Sequence, residues 1–427
     1  MKKLFILICL PVCLACSALS QEEPPSFDLQ VGLASLDTVW QTVNEFHYDT
    51  TFGGIDWKAV HDRYYKLAAE VDSDSALLRL MNEMLLELKV SHYAVFRKES
   101  KGGSGSPLFS EASAGLDLRL LGGEAVITSL TPGFPAEEEG LMIGYVVTRV
   151  NGVPVKKMLD EAAARQVAHF NERRKINSMC DEIVYCFFGH EGDTVSISYR
   201  DGSGNENEVT LRMKKRGEGT TVAENFPTVF VDFNSRMLSD DIGYVYFSAV
   251  LPPADSLFFD AMEKLSGMRG LVIDIRGNPG GMHVVGEGIA SKFVHETTRF
   301  SVFRDRDSTS YAYVEPSPPI FDGPIVILID VMNGSASERF SGCMQSIGRA
   351  VVIGERSPGS VGPSDMKRLP NGAALMYLIA QSLTPDGVVL EGHGVIPDIE
   401  VSLDRSALLG GTDAQLERAI SYLQEQL

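Results

Sequence analysis

The sequence predicts a multidomain protein of mixed class, with an α+β amino-terminal half and an α/β carboxy-terminal half. Three observations carry this. The chain has 427 residues, 44% of them hydrophobic, more than one compact core holds. Its apolar periodicity changes from helical to alternating near residue 99. From about residue 225, apolar runs of buried-strand length alternate with helical stretches, the pattern of an α/β domain.

In chain order, Lys2 and Lys3 precede the short apolar stretch Leu4 to Leu14. That stretch is too short to span a bilayer, so residues 1–20 read as a cleaved export leader. Two cleavage readings stand. Leu14-Ala15-Cys16-Ser17 resembles a lipobox that would leave a lipidated Cys16, although Cys13 sits where Leu is usual; Ala18-Leu19-Ser20 before Gln21 suits ordinary signal peptidase. The expected location is the periplasm or cell envelope, with secretion as the alternative. Residues 36–91 read as helices, with Leu77, Met81, Leu85 and Leu88 at helical spacing behind Asp72-Ser73-Asp74 as cap. Glu99 to Pro107 reads as a flexible linker. Short strands follow around Gly115–Leu120, Ala125–Ile127 and Tyr145–Val150, with a turn at Asn151-Gly152 and a helical segment over 156–180. Beyond 225, Ile242–Phe247, Gly270–Ile275, Pro324–Ile329 and Ala350–Ile353 are buried strands. Ala254–Leu265 and Ser337–Ile347 lie between some of them, and an amphipathic helix closes the chain over 413–427.

The formal charge of −19 repels phosphate backbones and argues against nucleic acid as a partner. Of six cysteines, Cys180, Cys186 and Cys343 lie beyond the leader. Three is odd and the spacing is not metal-binding, so buried free thiols are expected over a Cys180–Cys186 bridge.

Two segments could carry chemistry. Ser335, in Asn333-Gly334-Ser335-Ala336-Ser337-Glu338, follows a buried strand and opens a helix. Backbone N–H groups and the helix dipole favour negative charge there, as acyl transfer requires. The competing reading is structural, because Ser335 and Glu338 also fit a capping box. The second segment, Asp274-Ile275-Arg276-Gly277-Asn278-Pro279-Gly280-Gly281, has glycines that permit close backbone approach to a ligand. It lacks dinucleotide and P-loop spacings.

Together with three further segments, these residues resemble the C-terminal processing (tail-specific) peptidases, and more closely their tricorn-core-like branch. Phe52–Trp57 and Leu88-Lys89-Val90-Ser91-His92 are similar to the family's amino-terminal cap. Gly115–Val155, with Pro132-Gly133-Phe134-Pro135-Ala136 and Val150-Asn151-Gly152, resembles a PDZ domain. Glu391-Gly392-His393-Gly394-Val395-Ile396-Pro397-Asp398 resembles the end of the protease core. The resemblance implies a helical cap at 28–98, a linker at 99–112, a PDZ-like β domain with a helical insertion at 113–216, and a crotonase/ClpP-like serine protease core at 225–427.

It also implies roles. Ser335 is the nucleophile. The tail-specific branch activates it with a downstream Lys, but Ser360 stands at that position and Lys367 is out of register. The tricorn-like pattern of Ser-His and a late Glu is matched by Ser91, His92 and Glu391, with His92 as general base working near its reference pKa of ~6.5. N–H groups of Gly280 or Gly281 and of Ala336 would form the oxyanion hole. Gly115, Leu116, Asp117 and Leu118 would bind a substrate carboxylate by strand addition. Gly144-Tyr145 departs from the usual Gly-Asp, so the module either selects tails or gates the site. No cofactor and no metal are called for. The expected substrates are unfolded or C-terminal protein segments, and a membrane enters only through a lipid on Cys16. A non-catalytic PDZ-bearing scaffold on the same core is the alternative.

Overall fold

A computed structural model describes residues 27–96, 106–165, 170–222 and 228–427. The leader, Cys16 and residues 99–105 of the linker lie outside the described residues. No described helix is long and apolar enough to cross a membrane.

Three helices begin the described chain: α1 (Leu29–Phe46), α2 (Trp57–Ala68) and α3 (Asp74–Leu86). Each starts where a short polar side chain caps free N–H groups. Asp28 accepts from Gln30 and Val31, Asp56 from Ala59, and Ser73 from Ala76. Their apolar faces bury Leu36, Val39, Trp57, Leu77, Met81 and Met84. Strand β1 (Ala94–Phe96) follows, and Asn82 on α3 holds Val95 with both its amide oxygen and its amide nitrogen.

The middle domain contains β2 (Ala112–Ser113), β3 (Leu116–Leu121), β4 (Glu124–Leu130), α4 (Pro135–Glu138), β5 (Val146–Val150) and β6 (Val153–Pro154). Helices α5 (Val155–Arg165) and α6 (Glu172–Val184) come next, then β7 (Phe188–Gly189), β8 (Thr194–Arg200), β9 (Glu206–Arg212) and β10 (Lys214–Lys215). The main sheet runs β3-β4-β5-β8-β9 with β6 on β5, and the short strands pair β10-β2-β7. The segment expected as one helix over 156–180 is therefore two. Ile183, Val184 and Phe187 close over Leu116 and Leu118 of the edge strand β3.

The carboxy-terminal domain comprises β11 (Phe233–Met237), β12 (Ile242–Phe247), α7 (Ala254–Lys264), β13 (Gly270–Asp274), α8 (His283–Ala290), β14 (Thr298–Arg304), β15 (Thr309–Val314), β16 (Ile325–Ile329), α9 (Ala336–Ser346) and β17 (Val351–Gly354). It continues through β18 (Ser364–Arg368), β19 (Ala374–Leu378), β20 (Gln381–Leu383), β21 (Ile399–Glu400), α10 (Arg405–Leu409) and α11 (Ala414–Gln426). Its central sheet runs β11-β12-β13-β16-β17-β21, parallel from β12 to β21. Alternation along the strands explains the layering. Phe247, Leu271, Ile273, Ile325 and Ile327 face the layer containing Phe258, Ile289 and Phe340, whereas Tyr244, Val272, Val326 and Leu328 face Ala419 and Leu423 of α11. Both faces are covered, which is why these strands read as continuous apolar runs.

One feature was not expected. Strands β18 and β19 leave this domain as an antiparallel ribbon, and β19 pairs with β1. Leu369, Ala373, Leu375 and Tyr377 complete the core of the three amino-terminal helices. The cap thus extends beyond residues 28–98 and borrows part of its core from near the end of the chain.

Candidate active site

The site lies at the carboxyl ends of the parallel strands, where an α/β sheet leaves a crevice. Three loops meet there: 275–281 after β13, 330–335 after β16 and 355–361 after β17.

Ser335 occupies the turn between β16 and α9 with φ 52° and ψ −118°. That conformation is costly for a side chain, on the order of 1–3 kcal/mol, and is kept where function demands it. Although Ser335 is the helix N-cap by position, its side chain caps no N–H. Its Oγ lies 3.0 Å from His92 Nε2. Glu338 does not form the capping box either. Its carboxylate accepts Ser357 O–H, Gly359 N–H at 2.7 Å and Ser360 N–H at 2.8 Å. Burial pushes the Glu338 carboxyl up to about 7, while these three donors favour the anion. Ser360 in turn accepts Ser335 N–H at 2.7 Å, so Glu338 fixes the loop on which the serine backbone rests.

His92 follows the end of α3 and also has positive φ, 58°. Its Nδ1 is 2.6 Å from Ser91 Oγ, and Ser91 O–H donates to Glu391 Oε2 at 2.7 Å. Ser91 N–H donates to the other carboxylate oxygen at 2.5 Å, and Val361 N–H to Oε2 at 2.8 Å. An acceptor-only carboxylate gives the chain one direction. Ser91 donates to Glu391, His92 Nδ1–H donates to Ser91, and His92 Nε2 is left to accept from Ser335. Burial, and secondarily the Arg174 guanidinium, push His92 down to about 4 instead of leaving it near ~6.5. Burial raises the Glu391 carboxyl, against its hydrogen bonds and Arg174, whose Nη1 is 3.8 Å from Oε1.

The glycine turn packs directly against Ser335. A methyl group on Gly280 would stand 2.5 Å from Gly334 O, 2.7 Å from Ser335 Cβ and 2.8 Å from Ala336 N. Only glycine permits that approach together with its φ of 105°. The expectation that either Gly280 or Gly281 supplies a donor is narrowed. Gly280 N–H donates to Asn278 Oδ1 at 2.9 Å, so it is not available. Gly281 N–H and Ala336 N–H have no acceptor among the described residues. The turn is anchored by Arg276, which grips Asp274 through two nitrogens (2.9 and 2.6 Å) and reaches Asp413, the N-cap of α11. Burial would raise Asp274, but Arg276 outweighs it and holds the carboxyl below its usual range.

Gly115, Leu116, Asp117 and Leu118 are not among these contacts. Gly115 N–H donates to Ser113 Oγ and Leu118 N–H to Asp117 Oδ1, while Leu116 and Leu118 are buried in the middle domain. Lys367 is an exposed residue of β18. Cys180, Cys186 and Cys343 are free thiols; Cys180 and Cys343 are buried as expected, whereas Cys186 is only half-buried. Sequence reasoning missed Arg174, Asn82, Asp330 and the true partners of Glu338. The signal for Arg276 was present, because Asp-x-Arg at the end of a strand places both side chains on one face.

Residues 241–401 match Peptidase family S41, and residues 34–86 match the tricorn protease C1 domain. The chain is 25% identical over 396 residues to the carboxyl-terminal-processing protease of Picosynechococcus, covering 90% of this chain and 88% of that one. Two solved structures share its fold. One is the photosystem II D1 C-terminal processing protease (TM-score 0.56, 20% identity, 90% of this chain and 98% of that one). The other is mature CPAF (TM-score 0.62, 12% identity, 93% and 96%). A strained serine facing a histidine is therefore set in a carboxy-terminal region that matches peptidase family S41, and the chain is a serine peptidase.

Proposed function

We propose that the chain is an exported endopeptidase that cleaves unfolded or C-terminal segments of proteins, with Ser335 as nucleophile and His92 as general base. The observation carrying this reading is the one-directional hydrogen-bond chain from Ser335 through His92 and Ser91 to Glu391. Ser335 Oγ attacks the scissile carbonyl as its proton passes to His92 Nε2. The imidazolium is stabilised through Ser91 by the Glu391 carboxylate and returns the proton to the leaving amine. The oxyanion accepts from Gly281 N–H and Ala336 N–H. Water, deprotonated by the same histidine, then hydrolyses the acyl-enzyme ester.

The middle domain is best read as a PDZ-like module, on the support of its strand order and the Gly115-Leu116-Asp117-Leu118 segment opening its edge strand. Because two N–H groups of that segment already have partners, gating of the site is favoured over simple capture of a tail carboxylate. Export rests on the leader at 1–20, with tethering through Cys16 in the lipobox reading. Mass analysis of the mature amino terminus separates a lipidated Cys16 from a free Gln21.

The deciding experiment is casein hydrolysis by the wild type and by Ser335→Ala, His92→Ala and Lys367→Ala. The first two are expected to be inactive and the third unaltered. Wild-type activity in Ser335→Ala would refute the peptidase reading, and loss in Lys367→Ala alone would replace the histidine by the lysine.

A further inference from the structure

We infer that Arg119, on the middle domain, is a positioning residue for the oxyanion hole of the protease domain, acting through Asp330. The inference rests on the peptidase reading above. Asp330 opens the loop that ends in Ser335, and both it and Arg119 are nearly inaccessible, at 3% and 6% exposure. Arg119 Nε donates to Asp330 Oδ2 at 2.6 Å, while Nη1 donates to Asp117 Oδ2 and Leu118 O, each at 2.8 Å. The guanidinium is thus fixed to its own strand, β3, and reaches out with one edge.

The other oxygen of Asp330 does separate work. Oδ1 accepts Gly277 N–H and Met332 N–H, both at 3.0 Å. Gly277 lies in the turn that carries Gly281, and Met332 in the loop that carries Ser335 and Ala336. One carboxylate therefore ties together the two segments that carry the proposed oxyanion donors, Gly281 N–H and Ala336 N–H. Asn333 adds a brace, accepting Asp330 N–H at 2.7 Å and donating to Ile275 O at 2.6 Å. Arg119 also sits tightly against the glycine turn, since a methyl on Gly277 would lie 2.9 Å from its Nη2. Leu120, Ile176 and Cys180 of the middle domain pack around Val331 and Met332. The polar link is thus enclosed by apolar contact and shielded from water.

An oxyanion hole works only while its two donors keep a fixed separation, because the gain comes from preorganisation. With Arg119 removed, Asp330 remains as a buried carboxylate without its cation. It draws in water or shifts, and the two turns lose their common anchor. A misplacement of about 1 Å at such a site costs on the order of 100-fold in rate.

The test uses the full-length chain and a quenched-fluorescent peptide spanning a casein bond that the wild type cuts. Arg119→Met and Asp330→Asn are each expected to lower kcat about 100-fold with KM changed less than about threefold. Their double variant is expected to be no worse than the weaker single variant, the non-additivity of one connected unit. Affinity for a peptide aldehyde, which fills the oxyanion hole as a hemiacetal, falls by a similar factor. Binding of the uncleaved peptide to a Ser335→Ala background stays the same with and without Arg119→Met. Arg119→Lys, which keeps the charge but not the fork, recovers part of the rate and serves in place of the Met variant if that one does not fold. Unaltered kcat in folded variants, a loss confined to KM, or additive losses would overturn the inference while leaving the peptidase reading intact. A wild type without Ser335-dependent turnover would remove both.

Discussion

The two halves of the site are built differently. On the proposed mechanism, the nucleophile and oxyanion half comes from consecutive turns of one sheet, where β13 and β16 run side by side and the glycine turn touches Ser335 through backbone atoms. The proton-transfer half is assembled across the molecule. His92 lies 243 residues from Ser335, and Ser91 lies 300 residues from Glu391. The first half is rigid because strand pairing sets its spacing. The second depends on docking of the cap, so the two should respond differently to substitution.

The largest effect is expected where the halves meet. His92→Ala should lower kcat/KM about 10⁴-fold or more, and the His92→Ala/Ser335→Ala pair should be no worse than Ser335→Ala alone, because the two act as one unit. Initial rates on the casein-derived peptide check this. Next comes the rigid half. Gly280→Ala places a methyl against Gly334 O and Ala336 N, and kcat should fall about 10²–10³-fold, the cost of disturbing an oxyanion donor. In the docked half, Glu391→Gln keeps shape but presents an amide to groups that all donate, and a loss of about 100-fold in kcat is expected. If Glu391→Gln proved more damaging than Gly280→Ala, the ranking of the two halves would be reversed.

The pH profile separates the halves further. His92 must be neutral to accept a proton, and its pKa is depressed to about 4. The acid limb of kcat/KM should therefore fall near that value instead of near ~6.5. Arg174→Met removes a cation that lowers both His92 and Glu391, so the limb should move to higher pH. A shift of half a unit means about threefold less activity on that limb, measurable as the ratio of rates at acid and neutral pH. The smallest effect is expected from Lys367→Ala on the exposed strand β18, with activity within about twofold and stability within about 0.5 kcal/mol.

The same division decides what was legible in the sequence. Four of the six central-sheet strands, β12, β13, β16 and β17, and the glycine turn could be read directly, because strand, turn and helix follow one another within a few residues; Ser335 stood there against a capping-box reading until the resemblance decided it. The family resemblance supplied Ser91, His92 and Glu391, and the structure brings them together; spacing alone offered no reason to join residues so far apart. The capping-box alternative for Glu338 could not be dismissed from the sequence, because its real donors, at 357–360, lie in a loop with no pattern of its own. The depressed pKa of His92 was equally hidden, since it arises from burial by distant segments. The β18–β19 ribbon escaped notice because β18 is exposed along its whole length, so it lacks the half-buried alternation that marks a strand.

That ribbon has a consequence for synthesis. The amino-terminal helices emerge first from the ribosome, but Leu369, Ala373, Leu375 and Tyr377 of their core arrive about 300 residues later. Glu391, which accepts Ser91 N–H, comes later still. A nascent chain therefore carries its histidine unfixed until nearly all of it has been made, and any fragment ending before residue 391 lacks the carboxylate that orients it. On the proposed mechanism, the proton relay is therefore complete only after the segment carrying Glu391 has been made and has docked on the cap.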